Sequence, residues 1–322
     1  MSSTSPMHVK TAIITGACSG MGKALTYNLL TQTSPQWRVV MADINASAYE
    51  AMASTLDPAR HIFVRMDVSN WVDQLAVFKQ AYSWSNGRID FFAANAGIAD
   101  KEALLQPFDL DTDPEKPNLN CIEVDLLGVF YGLKLFIHFA RKTRRHLTGT
   151  ISNTPFNPKM VITASMAGQY PFFTSPQYAA AKHGCVGLVR SAAPALLTHE
   201  NIALNCVMPA FVDTNIMPEG LVAKWPKEHI TPLPTIMRAF NELIDEGGRV
   251  EVDGKSQGED GVVKSGCAVE CVIDELFYRD PVEYANASQE WVTDQAREEG
   301  IIGRALREAM VMRRGTPVGK TT

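Results

Sequence analysis

Short runs of β-branched and aliphatic residues alternate with longer helical patterns along the first two thirds of the chain. The runs cover residues 11–15, 38–42, 61–66, 89–94, 160–164 and 202–207, and helical patterns cover residues 21–33, 46–56, 71–83, 121–146 and 176–199. Strands that alternate with helices pair in parallel and are covered on both faces. We therefore predict an α/β fold, a doubly wound parallel sheet of the Rossmann type with helices on both faces.

This alternation ends near residue 207. An apolar stretch with several prolines follows over residues 208–244, then a glycine-rich polar stretch over 246–261, and then helical patterns over 265–278 and 288–312. We interpret the chain as one domain with a helical C-terminal extension. Its expected parts are a nucleotide-binding and catalytic core (8–214), a substrate lid (215–261) and the C-terminal extension (262–322). Polar segments at 109–120 and 148–159 are predicted to be surface loops.

Composition excludes several classes of protein. Hydrophobic residues make up 46% of the 322 residues and charged residues 20%, which predicts a folded chain with a sizeable core. The net charge of -5 provides no positive field for a nucleic acid, so we expect no such partner. The sequence contains no long uncharged apolar stretch and no secretory signal, and we expect a cytoplasmic protein with no membrane partner. The six scattered cysteines predict neither a metal site nor a disulfide framework.

A glycine-rich segment, TGACSGMG at residues 15–22, connects the first predicted strand to the first helix. In this context the glycines allow a tight turn and a close approach of a pyrophosphate to the amides of a helix N-terminus. The alternative is that the glycines serve only the turn. The expected cofactor-binding residues of this segment are Gly16, Ser19, Gly20, Met21 and Gly22.

The second predicted strand is followed by Asp43. A carboxylate at this place can accept hydrogen bonds from the ribose diol of an adenosine and repels a ribose 2′-phosphate. Because neither Cys18 nor Ser19 supplies a positive charge, the sequence favours NAD over NADP as the cofactor.

Further candidates for the adenosine side follow the third and fourth predicted strands. Asp67 and Val68 follow the third strand, and Asn95, Ala96 and Gly97 follow the fourth. Two structural alternatives remain open at this point. Asp67 could be a helix N-cap, and Asn95 could serve a loop turn.

Tyr178 and Lys182 lie four residues apart in a helical pattern, which places the phenol and the ammonium on one face. A free tyrosine loses its proton near pH 10 and needs a neighbouring cation to act as a base at neutral pH. Ser165 follows the fifth predicted strand, at the edge of the sheet where ligands of such folds bind. Alone, the Tyr–Lys pair would be typical of a solvated helix face. Together with the glycine segment it indicates catalysis.

These motifs together resemble the short-chain dehydrogenase/reductase family. The resemblance covers residues 8–214 and includes the family's TGxxxGxG at 15–22, NAG at 95–97, YxxxK at 178–182 and PGxVxT at 209–214, besides Ser165. Residues 165–191 resemble hydroxyprostaglandin dehydrogenases and fungal alcohol dehydrogenases of secondary metabolism.

The resemblance implies an NAD-dependent enzyme that interconverts a secondary alcohol and a ketone. It makes Tyr178 the acid/base, lets Ser165 hold the substrate oxygen and lets Lys182 bind the nicotinamide ribose as well as assist Tyr178. It also implies cofactor contacts for Pro209, Val212 and Thr214, with Thr214 at the carboxamide.

Two positions depart from the family pattern. The family has a catalytic Asn in a VNLxG motif, and this chain has Asp125 in the segment VDLLG at residues 124–128. Asp125 is retained as a candidate catalytic residue, although a carboxylate brings a charge and no amide donor. Ala210 replaces the usual Gly. The departure at Asp125 leaves one alternative open, a nucleotide-binding protein with altered or lost redox chemistry that acts as a cyclase, sensor or scaffold.

The expected substrate is a small apolar alcohol or ketone of lipid, terpenoid or polyketide type. The residues that flank the catalytic motifs are largely apolar and are expected to line the substrate pocket, and the alternative is that they pack the lid. They are Met166, Gln169, Tyr170, Phe172, Phe173, Ile216, Met217, Leu221, Trp225, Ile230, Leu233, Ile236 and Met237. The helix over 121–146 is amphipathic. In the family this helix pairs with its copy, which implies a homodimer or homotetramer, and burial against the C-terminal helix is the competing explanation.

Overall fold

A computed structural model describes residues 9–100, 104, 110–148, 156–217 and 220–315, with the side chains of 310–315 left out. Among these residues, eight strands form one sheet in the order β3–β2–β1–β4–β5–β6–β7–β8. The strands are β1 (Val9–Thr15), β2 (Gln36–Asp43), β3 (His61–Arg65), β4 (Phe91–Ala94), β5 (Lys159–Thr163), β6 (Ala203–Pro209), β7 (Ala268–Val272) and β8 (Glu275–Tyr278). Neighbouring strands from β3 to β7 pair in parallel, and β8 is antiparallel to β7. The predicted fold class is confirmed.

Helices connect these strands and cover the two faces of the sheet. They are α1 (Gly20–Thr31), α2 (Ala46–Ala53), α3 (Trp71–Trp84), α4 (Asn120–Ile122), a π-helix (Glu123–Leu127), α5 (Gly128–Thr148), α6 (Pro176–Glu200), α7 (Leu221–Lys224) and α8 (Leu233–Ile244). Two further helices, α9 (Ala287–Gln295) and α10 (Ile301–Gly315), follow β8 in the chain. The predicted helices of the core are confirmed with shifts of a few residues at their ends.

The alternation of side chains along each strand divides the core into two layers. Ile13 of β1 belongs to the layer that contains Phe78 of α3 and Phe136 of α5. Its neighbour Ile14 belongs to the opposite layer, with Leu25 of α1 and Phe240 of α8. Both layers are apolar, which explains why the strands read as continuous hydrophobic runs in the sequence.

One predicted helix is wrong. Residues 265–278 form the strands β7 and β8 instead, joined by a turn in which Ile273 has a φ of +55°. β7 is paired on both sides and nearly fully buried. Its residues are therefore largely apolar on both faces, and such a run cannot be distinguished from a buried helix by its periodicity. The helical pattern over 288–312 is confirmed, although it is divided into α9 and α10.

The chain forms two compact units, Met1–Arg279 and Asp280–Thr322. The second unit contains α9, whose N-cap Asn286 accepts a hydrogen bond from the amide of Gln289 at 3.0 Å. Residues 110–119 form an exposed loop, as predicted, and residues 149–155 of the other predicted loop lie outside the described residues. Within the described ranges, no helix combines the length and apolar character needed to cross a membrane.

Lys159 is the first residue of β5, and only 3% of the residue is exposed. Burial lowers the pKa of its ammonium to about 8, against the opposing effect of Glu246. In an unfolded chain a lysine has a pKa near 10.4. Between these two values the unfolded state binds more protons than the folded state, so the stability of the fold increases as the pH rises through this window.

We expect Lys159→Met to raise the free energy of unfolding at neutral pH by about 2 kcal/mol, because the buried charge no longer opposes folding. The same variant should lose the increase in stability between about pH 8 and pH 10. Urea denaturation across this pH range measures both effects. Lys79→Met, at an exposed position of α3, is the matched control and should leave the pH dependence unchanged. A Lys159→Met protein that is less stable than the wild type at neutral pH would contradict the prediction.

Candidate active site

The glycine segment between β1 and α1 has the backbone geometry of a close-approach turn. Gly16 and Gly20 have φ values of +64° and +47°, a region that L side chains rarely adopt. A Cβ at Gly22 would lie 2.1 Å from the carbonyl oxygen of Gly16, so no larger residue fits there. Ser19 is the N-cap of α1, and its side chain makes no cap hydrogen bond. Met21 lies in the first turn, whose amides point out of the helix.

Asp43 ends β2 beside this glycine segment and is 7% exposed. Its carboxylate accepts one hydrogen bond from the amide of Cys18 at 2.9 Å and one from the amide of Asn45 at 2.9 Å. Each carboxylate oxygen has a second lone pair available for another donor. The two amides therefore fix the carboxylate at the glycine segment, where the sequence analysis expected a ribose-binding acid.

Asn95 holds the ends of three strands together. Its side-chain amide donates to the carbonyl oxygen of Thr15 at 3.0 Å, and its side-chain oxygen accepts from the hydroxyl of Thr163 at 3.0 Å. The hydroxyl of Thr15 accepts from the amides of Asn95 and Ala96, both at 2.9 Å. The side chain of Asn95 is thus engaged with the protein, and the backbone of Ala96 and Gly97 remains the candidate for contacts with an adenosine.

Asp67 and Val68 follow β3 as expected, but the N-cap alternative for Asp67 is wrong because Asn70 is the N-cap of α3. The carboxylate of Asp67 accepts instead from the amide and the hydroxyl of Ser69, at 2.9 and 2.7 Å. The carbonyl oxygen of Val68 accepts from the side-chain amide of Gln74 at 2.6 Å.

Ser165 lies two residues beyond β5 and starts a short 3₁₀ turn, in which its hydroxyl accepts from the amide of Ala167 at 3.1 Å. Gly168 of this turn packs on α6, since a Cβ there would lie 2.7 Å from the carbonyl oxygen of Lys182. The ammonium of Lys182 lies 5.2 Å from the centre of the Tyr178 ring. The structure thus brings the turn that begins at Ser165 against the helix that carries Tyr178 and Lys182.

Asp125 lies in the π-helix and contacts Lys182 directly. Its Oδ2 is 2.9 Å from the Nζ of Lys182, and its Oδ1 accepts from the amide of Ile98 at 2.8 Å. The Lys182 ammonium also donates to the carbonyl oxygen of Thr163 at 3.0 Å. Asp125 is fully buried and Lys182 is 3% exposed, and a Cβ at Gly97 would lie 2.9 Å from the carboxylate. The pair is therefore buried within the protein.

Burial and charge act against each other in this pair. Burial raises the pKa of the Asp125 carboxyl, and the Lys182 ammonium and the Ile98 amide oppose that rise. Burial alone would lower the pKa of Lys182, but the acidic groups around it, of which Asp125 has the largest effect, together outweigh burial and raise this pKa above its usual range. Lys182 is therefore an ammonium at neutral pH.

The segment after β6 approaches the glycine segment. β6 ends at Pro209, Val212 is buried, and Thr214 lies beside α1, because a Cβ at Gly20 would be 3.2 Å from the Thr214 methyl group. This is the end of α1 to which a cofactor phosphate would bind.

The candidate substrate residues divide into two groups. Phe172 has its ring centre 6.2 Å from that of Tyr178, and Phe173 is 87% exposed. Ile236 and Met237 of α8 are buried in the core and do not line a substrate site, so the prediction for these two is wrong. An amphipathic helix that covers a sheet shows the same apolar spacing as a pocket wall, which explains the error.

Sequence reasoning missed two contributors to the site, Thr163 and Asp100. Thr163 contacts Lys182 through its carbonyl oxygen, which any residue could supply. The carboxylate of Asp100 accepts from the amides of Gln177 and Tyr178, at 3.2 and 2.8 Å. No local pattern in the sequence connects positions so far apart.

Comparison with protein families identifies the core of the chain. The family model described as short chain dehydrogenase matches residues 10–221, which is more than half of the chain. This match includes the glycine segment, Asp43, Asp125, Ser165, Tyr178 and Lys182.

Two curated proteins illustrate the similarity. The chain is 32% identical over 282 residues to short-chain dehydrogenase/reductase prx6 of Penicillium rubens, covering 84% of this chain and 85% of that protein. It is 30% identical over 218 residues to 15-hydroxyprostaglandin dehydrogenase (NAD(+)) of Homo sapiens, covering 66% of this chain and 72% of that protein.

Solved structures show the same fold. A 3-ketoacyl-(acyl-carrier-protein) reductase from Brucella melitensis, complexed with NADH, superposes with a TM-score of 0.63 at 20% identity, covering 82% of this chain and 96% of that one. Levodione reductase superposes with a TM-score of 0.59 at 24% identity, covering 74% and 91%.

Proposed function

The chain belongs to the short-chain dehydrogenase/reductase family of oxidoreductases, and we propose that it uses NAD to interconvert a secondary alcohol and a ketone on a small apolar substrate. The observation that carries the proposal is the placement of the Lys182 ammonium 5.2 Å from the Tyr178 ring, on the helix against which the Ser165 turn packs. A phenol held beside a buried cation is suited to exchange a proton with an alcohol oxygen.

The glycine segment fits a dinucleotide. The positive φ values of Gly16 and Gly20 form the tight turn, and the absence of a side chain at Gly22 lets α1 pack closely on this turn, an arrangement that suits the approach of a pyrophosphate to the backbone. We assign this contact to Gly16 and to the first turn of α1, from Ser19 to Gly22. Asp67, Val68, Asn95, Ala96 and Gly97 would line the adenosine side, and Pro209, Val212 and Thr214 the nicotinamide side.

Asp43 supports NAD as the cofactor. Its two amide partners hold the carboxylate at the place where a ribose 2′-phosphate would meet a fixed negative charge. The name of the human relative includes NAD(+), and the structure from Brucella contains NADH, which supports the same choice.

Tyr178, Ser165 and Lys182 have distinct roles in the proposed reaction. The nicotinamide, when bound, accepts or supplies the hydride. In oxidation Tyr178 removes the hydroxyl proton through its phenolate oxygen, and Ser165 donates a hydrogen bond to the substrate oxygen. Lys182 stabilises the phenolate by its charge and binds the nicotinamide ribose. In reduction Tyr178 returns the proton to the same oxygen.

Aromatic side chains support an apolar substrate. Phe172 lies beside Tyr178, and Phe173 is largely exposed. Beyond β6, Phe211 of the Pro209–Thr214 segment stacks on Trp225 with the ring centres 3.9 Å apart. Such walls suit a lipid, terpenoid or polyketide alcohol better than a sugar.

Homo-oligomerisation is part of the proposal. Leu127 of the π-helix and Phe130 of α5 are 41% and 46% exposed, which supports a contact between α5 and its copy in a homodimer or homotetramer.

The function is tested by incubating the protein with NAD or NADP and a panel of apolar secondary alcohols such as octan-2-ol and menthol. We expect oxidation of at least one alcohol, followed as reduced-cofactor absorbance, with NAD preferred. A protein that binds NADH but oxidises no alcohol and reduces no corresponding ketone would favour the alternative, a nucleotide-binding protein without redox chemistry.

Tyr178→Phe should lower turnover by about 10²-fold or more, because the acid/base is removed. NADH binding, measured by its fluorescence, should persist. The control is Tyr27→Phe, which removes the hydroxyl of a tyrosine on α1 that is hydrogen-bonded to Thr55, and it should retain turnover. Near-normal turnover in Tyr178→Phe would exclude the tyrosine mechanism.

Asp43→Ala should weaken NAD binding about tenfold, the loss expected for a hydrogen bond to a charged group. It should also reduce the preference for NAD over NADP, because the charge that repels the 2′-phosphate of NADP is gone. Asp43→Asn removes the charge and keeps one acceptor, so we expect relaxed preference with a smaller loss of NAD binding. Titration of both cofactors measures these effects, and an unchanged preference in both variants would place cofactor selection elsewhere.

Asp125→Asn should shift the pH at which oxidation reaches half of its maximal rate downward by about one unit, while activity is retained. The carboxylate raises the pKa of Lys182 and partly cancels the field of this ammonium at the phenol, so its loss favours the phenolate. The observable is the macroscopic pKa of the pH–rate profile. Glu123→Gln, an exposed charge on the same π-helix, should leave the profile in place. A folded Asp125→Asn protein that binds NADH but is inactive would show that the carboxylate itself is required.

A further inference from the structure

The first turn of α6 receives its cap from a distant part of the chain. The first amides of a helix have no partner within the helix and need an acceptor. Ser175 occupies the N-cap position, but its side chain makes no cap hydrogen bond, and Pro176 has no amide hydrogen. The amides of Gln177 and Tyr178 donate instead to the two carboxylate oxygens of Asp100, at 3.2 and 2.8 Å.

Asp100 belongs to a segment, residues 97–100, that is fixed to the rest of the site. The amide of Ile98 donates to Asp125, and the carbonyl oxygen of Ile98 accepts from the thiol of Cys121 at 3.5 Å. Gly97 packs against the Asp125–Lys182 pair. The carboxylate that caps α6 is therefore attached to a backbone whose position is set by the buried ion pair.

The segment before α6 offers little other support for its first turn. Residues 171–174 are exposed, with Phe173 exposed by 87%. Tyr178 lies in this turn, three residues after the N-cap, where a helix without a cap frays. Fraying of this turn would change the position of the phenol relative to Lys182, whose ammonium lies 5.2 Å from the Tyr178 ring.

We propose that Asp100 is a positioning residue for Tyr178, which holds the catalytic phenol in place by capping the first turn of α6 from the segment after β4. The proposal rests on the proposed function, since it assigns Tyr178 the role of acid/base. Both oxygens of Asp100 are used, one for each backbone amide. An Asn cannot replace the carboxylate fully, because its side-chain NH₂ would face one of these two backbone N–H groups. A negative charge at this end of the helix also interacts favourably with the helix dipole.

The test measures Asp100→Ala, Asp100→Asn and the control Ser175→Ala with NAD and whichever alcohol of the panel, octan-2-ol included, the wild type oxidises fastest. We expect kcat to fall by about tenfold or more in Asp100→Ala, in line with the cost of a small displacement of a catalytic group. The kcat of Asp100→Asn should lie between that of Asp100→Ala and that of the wild type. In both Asp100 variants the KM for NAD and the affinity for NADH should change by less than about twofold. The kcat of Ser175→Ala should match that of the wild type.

A compensating variant separates capping from a general structural role. In Asp100→Ala combined with Ser175→Asp, a carboxylate at the N-cap can accept from the same turn. We expect this double variant to recover most of the lost kcat. Failure of the recovery, or an unchanged kcat in Asp100→Ala, would overturn the proposal.

Amide hydrogen exchange gives a readout that requires no substrate. Peptides that contain Gln177 and Tyr178 should exchange faster in Asp100→Ala and slower again in the double variant. Unchanged exchange in Asp100→Ala would also overturn the proposal. If the wild type oxidises no alcohol, the proposed function fails, and the exchange result alone then decides whether Asp100 holds this turn.

Discussion

The buried contact between Asp125 and Lys182 is the interaction on which the arrangement of the site depends. Removal of two charges from water costs several kcal/mol for each ion, and this cost is offset only when the remaining hydrogen-bonding groups find partners. Here the partners are the amide of Ile98 and the carbonyl oxygen of Thr163. They come from the segment after β4 and from β5, while the charges come from the π-helix and α6. The pair is therefore satisfied only when all four elements are in place.

The π-helix explains how a carboxylate reaches this position. A π-helical turn contains an additional residue, which changes the direction of the side chains within it. Asp125 lies in the middle of this turn, and its backbone oxygen accepts from the thiol of Cys185 on α6 at 3.2 Å. The side chain and the backbone of one residue thus both contact α6. The turn is a local irregularity in a long helical pattern, and it is maintained by contacts that are distant in sequence.

The sequence predicted the fold well where burial and backbone chemistry act locally. The first six strands are apolar because helices cover both faces of the sheet. The glycines of residues 15–22 are required by positive φ values at Gly16 and Gly20 and by the lack of space for a Cβ at Gly22. The prediction for residues 265–278 failed because a short buried strand pair has no periodicity that distinguishes it from a buried helix. The sequence identified Asp125 as unusual, and the ion pair that it forms with Lys182 depends on the π-helix and on α6.

Three carboxylates near the site show why residue type alone does not define a role. Asp43 is held by two backbone amides, one on each oxygen, and each oxygen keeps a second lone pair for another donor. Asp125 has one oxygen on an amide and the other on an ammonium, and it is fully buried. Asp100 has both oxygens on the amides of a helix end. In each case the donors around the carboxylate determine what its charge acts on: the ammonium at Asp125, the backbone that carries the phenol at Asp100, and, in the proposed function, the ribose at Asp43. Because those donors come from different elements of the fold, the roles of these residues are decided by the packing of the helices on the sheet.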